Sequence, residues 1–113
     1  SIKKGSAIGA DVNIYNQGHI SIGRNVIISQ YSHLCASSHN YSFKNPRLPL
    51  FTQAIIIENN CWICADVFIG PGVKLSHGTV AGARSVIFKT TEINGVYIGN
   101  PAKLIKKRKF NKT

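Results

Sequence analysis

Acidic side chains are scarce in this chain. Four Asp and Glu stand against 14 Lys and Arg in 113 residues, a formal net charge of +10. Such an excess favours an anionic partner: nucleic acid, an acidic membrane surface or a phosphorylated ligand. Cysteine is scarce as well. Three of them (Cys35, Cys61, Cys64) are an odd number, which argues against a disulfide framework and for a cytoplasmic protein. Long apolar runs are missing, and none approaches the roughly 18 residues of an integral membrane segment. The opening SIKKGS has no apolar stretch of the kind a signal peptide carries. Ser1 is not a methionine, so the chain is expected to be processed or part of something longer. Its length reads as one domain, 1–113.

What the chain has in quantity is a beat. An aliphatic residue recurs every six positions at Ile2, Ile8 and Ile14, then at Ile22, Ile28 and Leu34 after a two-residue slip. It resumes at Ile57, Ile63, Ile69, Leu75, Ala81 and Ile87. Four residues after each beat comes a small or β-branched side chain: Ser6, Val12, Val26, Ser32, Ser38, Cys61, Val67, Val73, Thr79, Ser85. Three after it, Asp11, Asn25, Asn60, Asp66, Gly72 and Gly78 are types that tolerate the left-handed backbone of a tight corner. A period of six fits neither a helix face nor a plain hairpin protein. It fits a short strand plus a corner, with three such units closing a triangular coil of about 18 residues. The beat and the small residue then point inward, and successive coils stack as parallel strands. About four coils are expected.

Three stretches carry a further resemblance: 14–42 (IYNQGHISIGRNVIISQYSHLCASSHNYS), 55–75 (IIIENNCWICADVFIGPGVKL) and 80–108 (VAGARSVIFKTTEINGVYIGNPAKLIKKR). They resemble the hexapeptide-repeat acyltransferase family, and within it the sugar O-acetyltransferases of exopolysaccharide synthesis, the colanic acid type. The segment GNPAK at 99–103, following a hexapeptide tract, is the more specific element; the hexapeptide alone is shared with other enzymes. The resemblance implies an all-β fold, a left-handed parallel β-helix with one protruding loop at about 40–54 and a short C-terminal basic segment, 99–113. It also implies a homotrimer with active sites between subunits.

The loop is where the beat stops, immediately after His39. From Asn40 to about Ala54 the sequence holds Pro46, Pro49, Lys44 and Arg47 and no period. Long excursions from compact folds are usually functional or disordered. In the resembled family the histidine at the loop's root is the catalytic base, and this maps onto His39. A neutral imidazole suits removal of a hydroxyl proton as that oxygen attacks a thioester. The family match implies direct transfer from acetyl-CoA, without an acyl-enzyme and without a metal. It places the acceptor near Asn16 and Tyr41. Two departures from the family's pattern matter: Asn40 stands where relatives often carry Asp, and the extra N-terminal residues of relatives are absent.

Six cations crowd the tail: Lys103, Lys106, Lys107, Arg108, Lys109 and Lys112. The tail lacks interleaved aromatics and any nucleic-acid reader motif, so no nucleic-acid partner is expected. The phosphates of coenzyme A are a better fit for such cations. The resemblance implies Ala65, Ala83, Lys89 and Lys103, with Lys106 and Arg108, as the cofactor-binding set, and Trp62 beside its thioester end. Other readings stay open from the residues. They are N-acetylation of an amino sugar, a γ-carbonic-anhydrase-like zinc enzyme using His33, His39 and His77, and a non-enzymatic scaffold for polyanions. His19 falls on the same face as His39, one coil away. Cys61 and Cys64 point apart and do not read as a metal pair.

Overall fold

The computed structural model describes residues 1–44 and 48–111. Pro46 and Arg47 of the excursion and Lys112 of the tail lie outside the described residues. In chain order the elements are β1 (Ala7–Ile8), β2 (Asn13–Tyr15), a 3₁₀ turn (Gln17–His19), β3 (Ile20–Ile22), β4 (Ile27–Ile28) and β5 (His33–Cys35). Then come β6 (Ser37–His39), β7 (Leu50–Thr52), β8 (Ile55–Ile57), β9 (Trp62–Ile63), β10 (Phe68–Ile69) and β11 (Lys74–Leu75). The last are β12 (Val80–Ala81), β13 (Val86–Ile87), β14 (Gly95–Gly99) and β15 (Ala102–Lys107).

Short strands come from the six-residue period, and three sheets come from stacking every third one. The A face stacks β3, β8 and β11; the B face stacks β1, β4, β9, β12 and β14; the C face stacks β2, β5, β10 and β13. All of these pair in parallel and in register, so beat meets beat: Ile8, Ile28, Ile63 and Ala81 on B, and Ile14, Leu34, Ile69 and Ile87 on C. The beat residues from Ile22 onward are buried, with Leu34, Ile63, Ile69 and Leu75 fully so. Ile2 and Ile8 are the exception, 53% and 38% exposed.

The corners follow the sequence. Asp11, Asn25, Asn60, Asp66, Gly72 and Gly78 all have positive φ, between 54° and 77°. Gly78 is needed twice over, since a Cβ there would also run into Asn94 Oδ1. Several small inward polar residues are satisfied inside the prism, while the Ser85 hydroxyl is buried without a partner among the described residues. Ser32 Oγ donates to Cys64 O at 2.8 Å and accepts from Val67 N at 3.2 Å. Thr79 and Thr91 share a hydroxyl contact of 2.7 Å. Cys61 sits in this core, where burial pushes its thiol up to about 11.

Two expectations need correction. Ser38 is exposed, and Ser37 is buried in its place. Ala36 takes an inward position at 0% exposure, and the phase slips there because the chain turns outward. Second, the excursion begins earlier than Asn40: β6 and β7 form an antiparallel two-stranded arm, with Ser37 opposite Thr52 and His39 opposite Leu50. β15 runs antiparallel along β14 and extends the B face, and Arg108 is bound beyond it.

Candidate active site

Both breaks in the beat occur at one corner of the prism, between the C and A faces, in adjacent coils. The slip before Ile22 is the 3₁₀ turn between β2 and β3; the long break is the arm between β5 and β8. Higher on the same corner lie Gly70–Gly72 and then Phe88–Lys89. A β-helix can lengthen its chain only at corners without breaking the ladders, so this edge is where the fold concentrates its variation.

His39 ends β6 and is exposed. Its Nδ1 lies 2.9 Å from Leu48 O. A carbonyl oxygen only accepts, so Nδ1 must carry the proton, and the lone pair of the neutral ring is left on Nε2. No acidic residue is needed to set this tautomer. The return of the arm does so, braced by a hydrogen bond of 2.8 Å from Asn40 N to Pro49 O. Pro49 also restricts Leu48 to an extended backbone. With only four acidic residues in the chain, the sequence already points to a backbone carbonyl rather than a carboxylate as the group that orients His39; the structure identifies it as that of Leu48.

Asn16 begins the 3₁₀ turn with φ 65° and donates its amide to Ser37 Oγ, at the root of the arm. Tyr41 is at the arm's turn and is 86% exposed. Lys89 and Lys103, fourteen positions apart, line one cleft of about 360 Å³ with Phe88, Tyr97, Pro101 and Leu104. Those residues share the His39 edge or the tail beside it.

The remaining candidates do not join them within one chain. Ala65 and Ala83 lie on the corner between the B and C faces, in a groove of about 670 Å³ with Tyr31 and Arg84. Trp62 projects from the B face, 47% exposed, and donates Nε1–H to Ser29 Oγ at 3.2 Å. Lys106 and Arg108 border a third groove of about 560 Å³. Arg108 is also tied to the coil: Nη1 donates to Asn60 O and Gly78 O at 3.1 and 3.2 Å, and its backbone N–H donates to Asn94 O at 2.7 Å. Lys107 bonds Glu92 at 3.1 Å and Ile93 O at 2.8 Å.

The histidines are dispersed. His33 lies on the C face against Phe68, ring centroids 5.5 Å apart. His77 is exposed near Asn60, and His19 faces a shallow groove with Ala54. Among the described residues no group of three His, Cys, Asp or Glu gathers as metal ligands. All three cysteines are free thiols, and no helix among the described residues is long and apolar enough to cross a membrane.

No family model matches the sequence, but relatives covering most of this chain do. WcaF of Escherichia coli (strain K12), named for an acetyltransferase role in colanic acid biosynthesis, is 44% identical over 101 residues, covering 89% of this chain and 54% of WcaF. WbbJ of the same organism, named for an O-acetyl transferase role in lipopolysaccharide biosynthesis, is 33% identical over 108 residues, covering 85% of this chain and 54% of WbbJ. A solved hexapeptide-repeat acetyltransferase from Vibrio cholerae superposes with a TM-score of 0.87 at 25% identity, covering 96% of this chain and 62% of that one.

The chain belongs to the hexapeptide-repeat acyltransferase family. Its fold is the left-handed parallel β-helix of that family. The chain spans about half the length of the curated relatives it matches. Among the described residues, this hexapeptide-repeat chain departs from the plain coil at the arm, the 3₁₀ turn and the tail.

Proposed function

We propose that the protein is an acetyl-CoA-dependent O-acetyltransferase that acts on a sugar hydroxyl in surface polysaccharide synthesis, with His39 as general base. The observation that carries this is the His39 ring at the outer end of β6, held through Nδ1 by Leu48 O, with no partner for Nε2 among the described residues. In the reaction, Nε2 takes the acceptor's proton as its oxygen bonds the acetyl carbon. The carbon–sulfur bond of the thioester breaks, and the proton passes to the departing sulfur. Direct transfer needs no nucleophile on the protein. Asn16 and Tyr41 border the acceptor end. Lys89 and Lys103 supply a paired cationic cleft for coenzyme A phosphates, with Lys106 and Arg108 beyond it.

Ala65, Ala83 and Trp62 lie on other faces of the prism, so they join this site only from a second copy. That supports a homotrimer with sites between subunits. The outward ladder of the B face, Ala7, Ile27, Trp62, Val80 and Val96 in register, is the apolar surface available for it. Three free thiols fit the reducing cytoplasm. An amine acceptor is the second reading, since the same base serves both.

The test has two parts. Melting temperature is followed with acetyl-CoA and with ADP at low and moderate salt, and thiol release from acetyl-CoA is followed with a hexose glycoside and with glucosamine. We expect a saturable rise with acetyl-CoA that survives moderate salt, and glycoside-dependent release abolished by His39→Ala. A shift shared by every polyanion and lost with salt would leave only a charge patch. Release with glucosamine alone would select N-acetylation.

A further inference from the structure

The arm that carries His39 is joined to the coil beneath it at two neighbouring points. Ala36 N donates to Tyr15 O at 3.3 Å, and the next residue, Asn16, donates its side-chain amide to Ser37 Oγ. Ser37 is 6% exposed and is the first residue of β6. Its carbonyl accepts from the Cys35 thiol at 3.1 Å. Side chains two apart on a strand project to the same side. Ser37 and His39 are such a pair, so a side chain that holds Ser37 sets the direction in which His39 leaves the strand. Asn16 can do this because its backbone is left-handed, φ 65° and ψ 60°. That conformation starts the 3₁₀ turn directly below the arm, and Asn tolerates it where most side chains do not.

We propose that Asn16 is a positioning residue for His39, acting through Ser37, rather than a direct ligand of the acceptor. One N–H of its amide is engaged within the chain, on the first residue of the arm itself. The two-residue slip in the hexapeptide beat thus has a use: it places the turn that props the arm. The inference rests on the reading of His39 as base.

The test uses the full chain and two readouts. Asn16→Gly removes the amide and keeps the left-handed backbone; Ser37→Ala removes its partner; Asn16→Asp keeps an acceptor for the Ser37 hydroxyl and is the rescue. Hydrogen exchange is read at Asn40 and Gln53, whose N–H groups bond Pro49 O and Ala36 O. We expect ~10-fold faster exchange in Asn16→Gly and Ser37→Ala, and near wild-type exchange in Asn16→Asp. Acetyl-CoA turnover with p-nitrophenyl β-galactoside should show a ~10-fold lower kcat in both single variants, with unchanged KM for both substrates. The double variant should be no worse than either, and Asn16→Gly should add nothing to His39→Ala. A raised acceptor KM in Asn16→Gly with Ser37→Ala silent would overturn the proposal, as would unchanged exchange or additive losses. If His39→Ala itself kept full turnover, the base reading would fall, and the exchange data would still decide whether Asn16 holds the arm.

Discussion

In the coil, Ile63 pairs with Ile28 below it and Ala81 above it, far along the chain in both directions. In the arm, His39 pairs with Leu50, across its own turn. The coil hides its aliphatic residues; Ile57, Ile63, Ile69 and Leu75 are at most 1% exposed. The arm displays its own: Tyr41, Phe43, Leu48, Leu50 and Phe51 range from 39% to 86%. One region is stabilised by burial and repetition. The other is a two-stranded ribbon, which has little stability alone and relies on its root. A rigid prism with a separately held arm permits a base to be aimed without disturbing the core.

The comparison predicts that arm and coil variants fail in different ways. The largest effect belongs to the arm. His39→Ala should lower turnover by about 10²–10⁴-fold while the melting temperature stays within a degree or two, measured by thiol release and calorimetry. Loss of stability in that variant would mean the arm is not separate from the fold. The coil should behave in reverse. Leu75→Ala, at a fully buried beat, should cost about 2–5 kcal/mol of unfolding free energy in denaturant titration. Its turnover per folded molecule should be nearly unchanged.

Cys61 sharpens the coil's side of the contrast. Burial pushes its thiol pKa up to about 11 from an ordinary value of 9.0. The folded state therefore binds the proton more tightly than the unfolded state. Cys61 contributes nothing pH-dependent below pH 9, and stability falls as pH rises from 9 to 11, by about 2–3 kcal/mol. Cys61→Ala should flatten that slope in chemical denaturation at pH 8 and pH 11. The smallest effect is at the edge the two regions share. Lys89→Ala or Lys103→Ala should raise KM for acetyl-CoA by about tenfold with kcat unchanged, as for loss of one charge-assisted contact.

Much of the coil was legible. The beat from Ile22 to Ile87 named the core, and the Asn, Asp and Gly positions named the corners, because stacking forces each side chain to one radial direction. Ile2 and Ile8 match the beat and pair in register with the coil above, yet stay 53% and 38% exposed. The arm was legible only as a silence in the period. β7 has no distinctive signal in LFT, and Ser37 replaced Ser38 inside because the chain leaves the coil one residue out of phase. Leu48 contributes through its carbonyl, which no side-chain pattern can announce. The tail read as cations for coenzyme A phosphates, with no sign of what would hold them in place. Yet Arg108 spends hydrogen bonds on Asn60, Gly78 and Asn94, residues that only the stacked coils bring together.

A six-residue period, once it alternates inward aliphatic, small residue and tolerant corner, admits one economical solution. The sequence by itself therefore determined the prism, its three faces and the corner where the chain departs from them. Tertiary structure alone decided what happens at that corner. Which nitrogen of His39 is free, what holds Ser37 and which lysines share a cleft depend on groups from separate coils meeting in space. Those meetings are set by stacking and by backbone hydrogen bonds, and neither depends on the identity of neighbours in the chain.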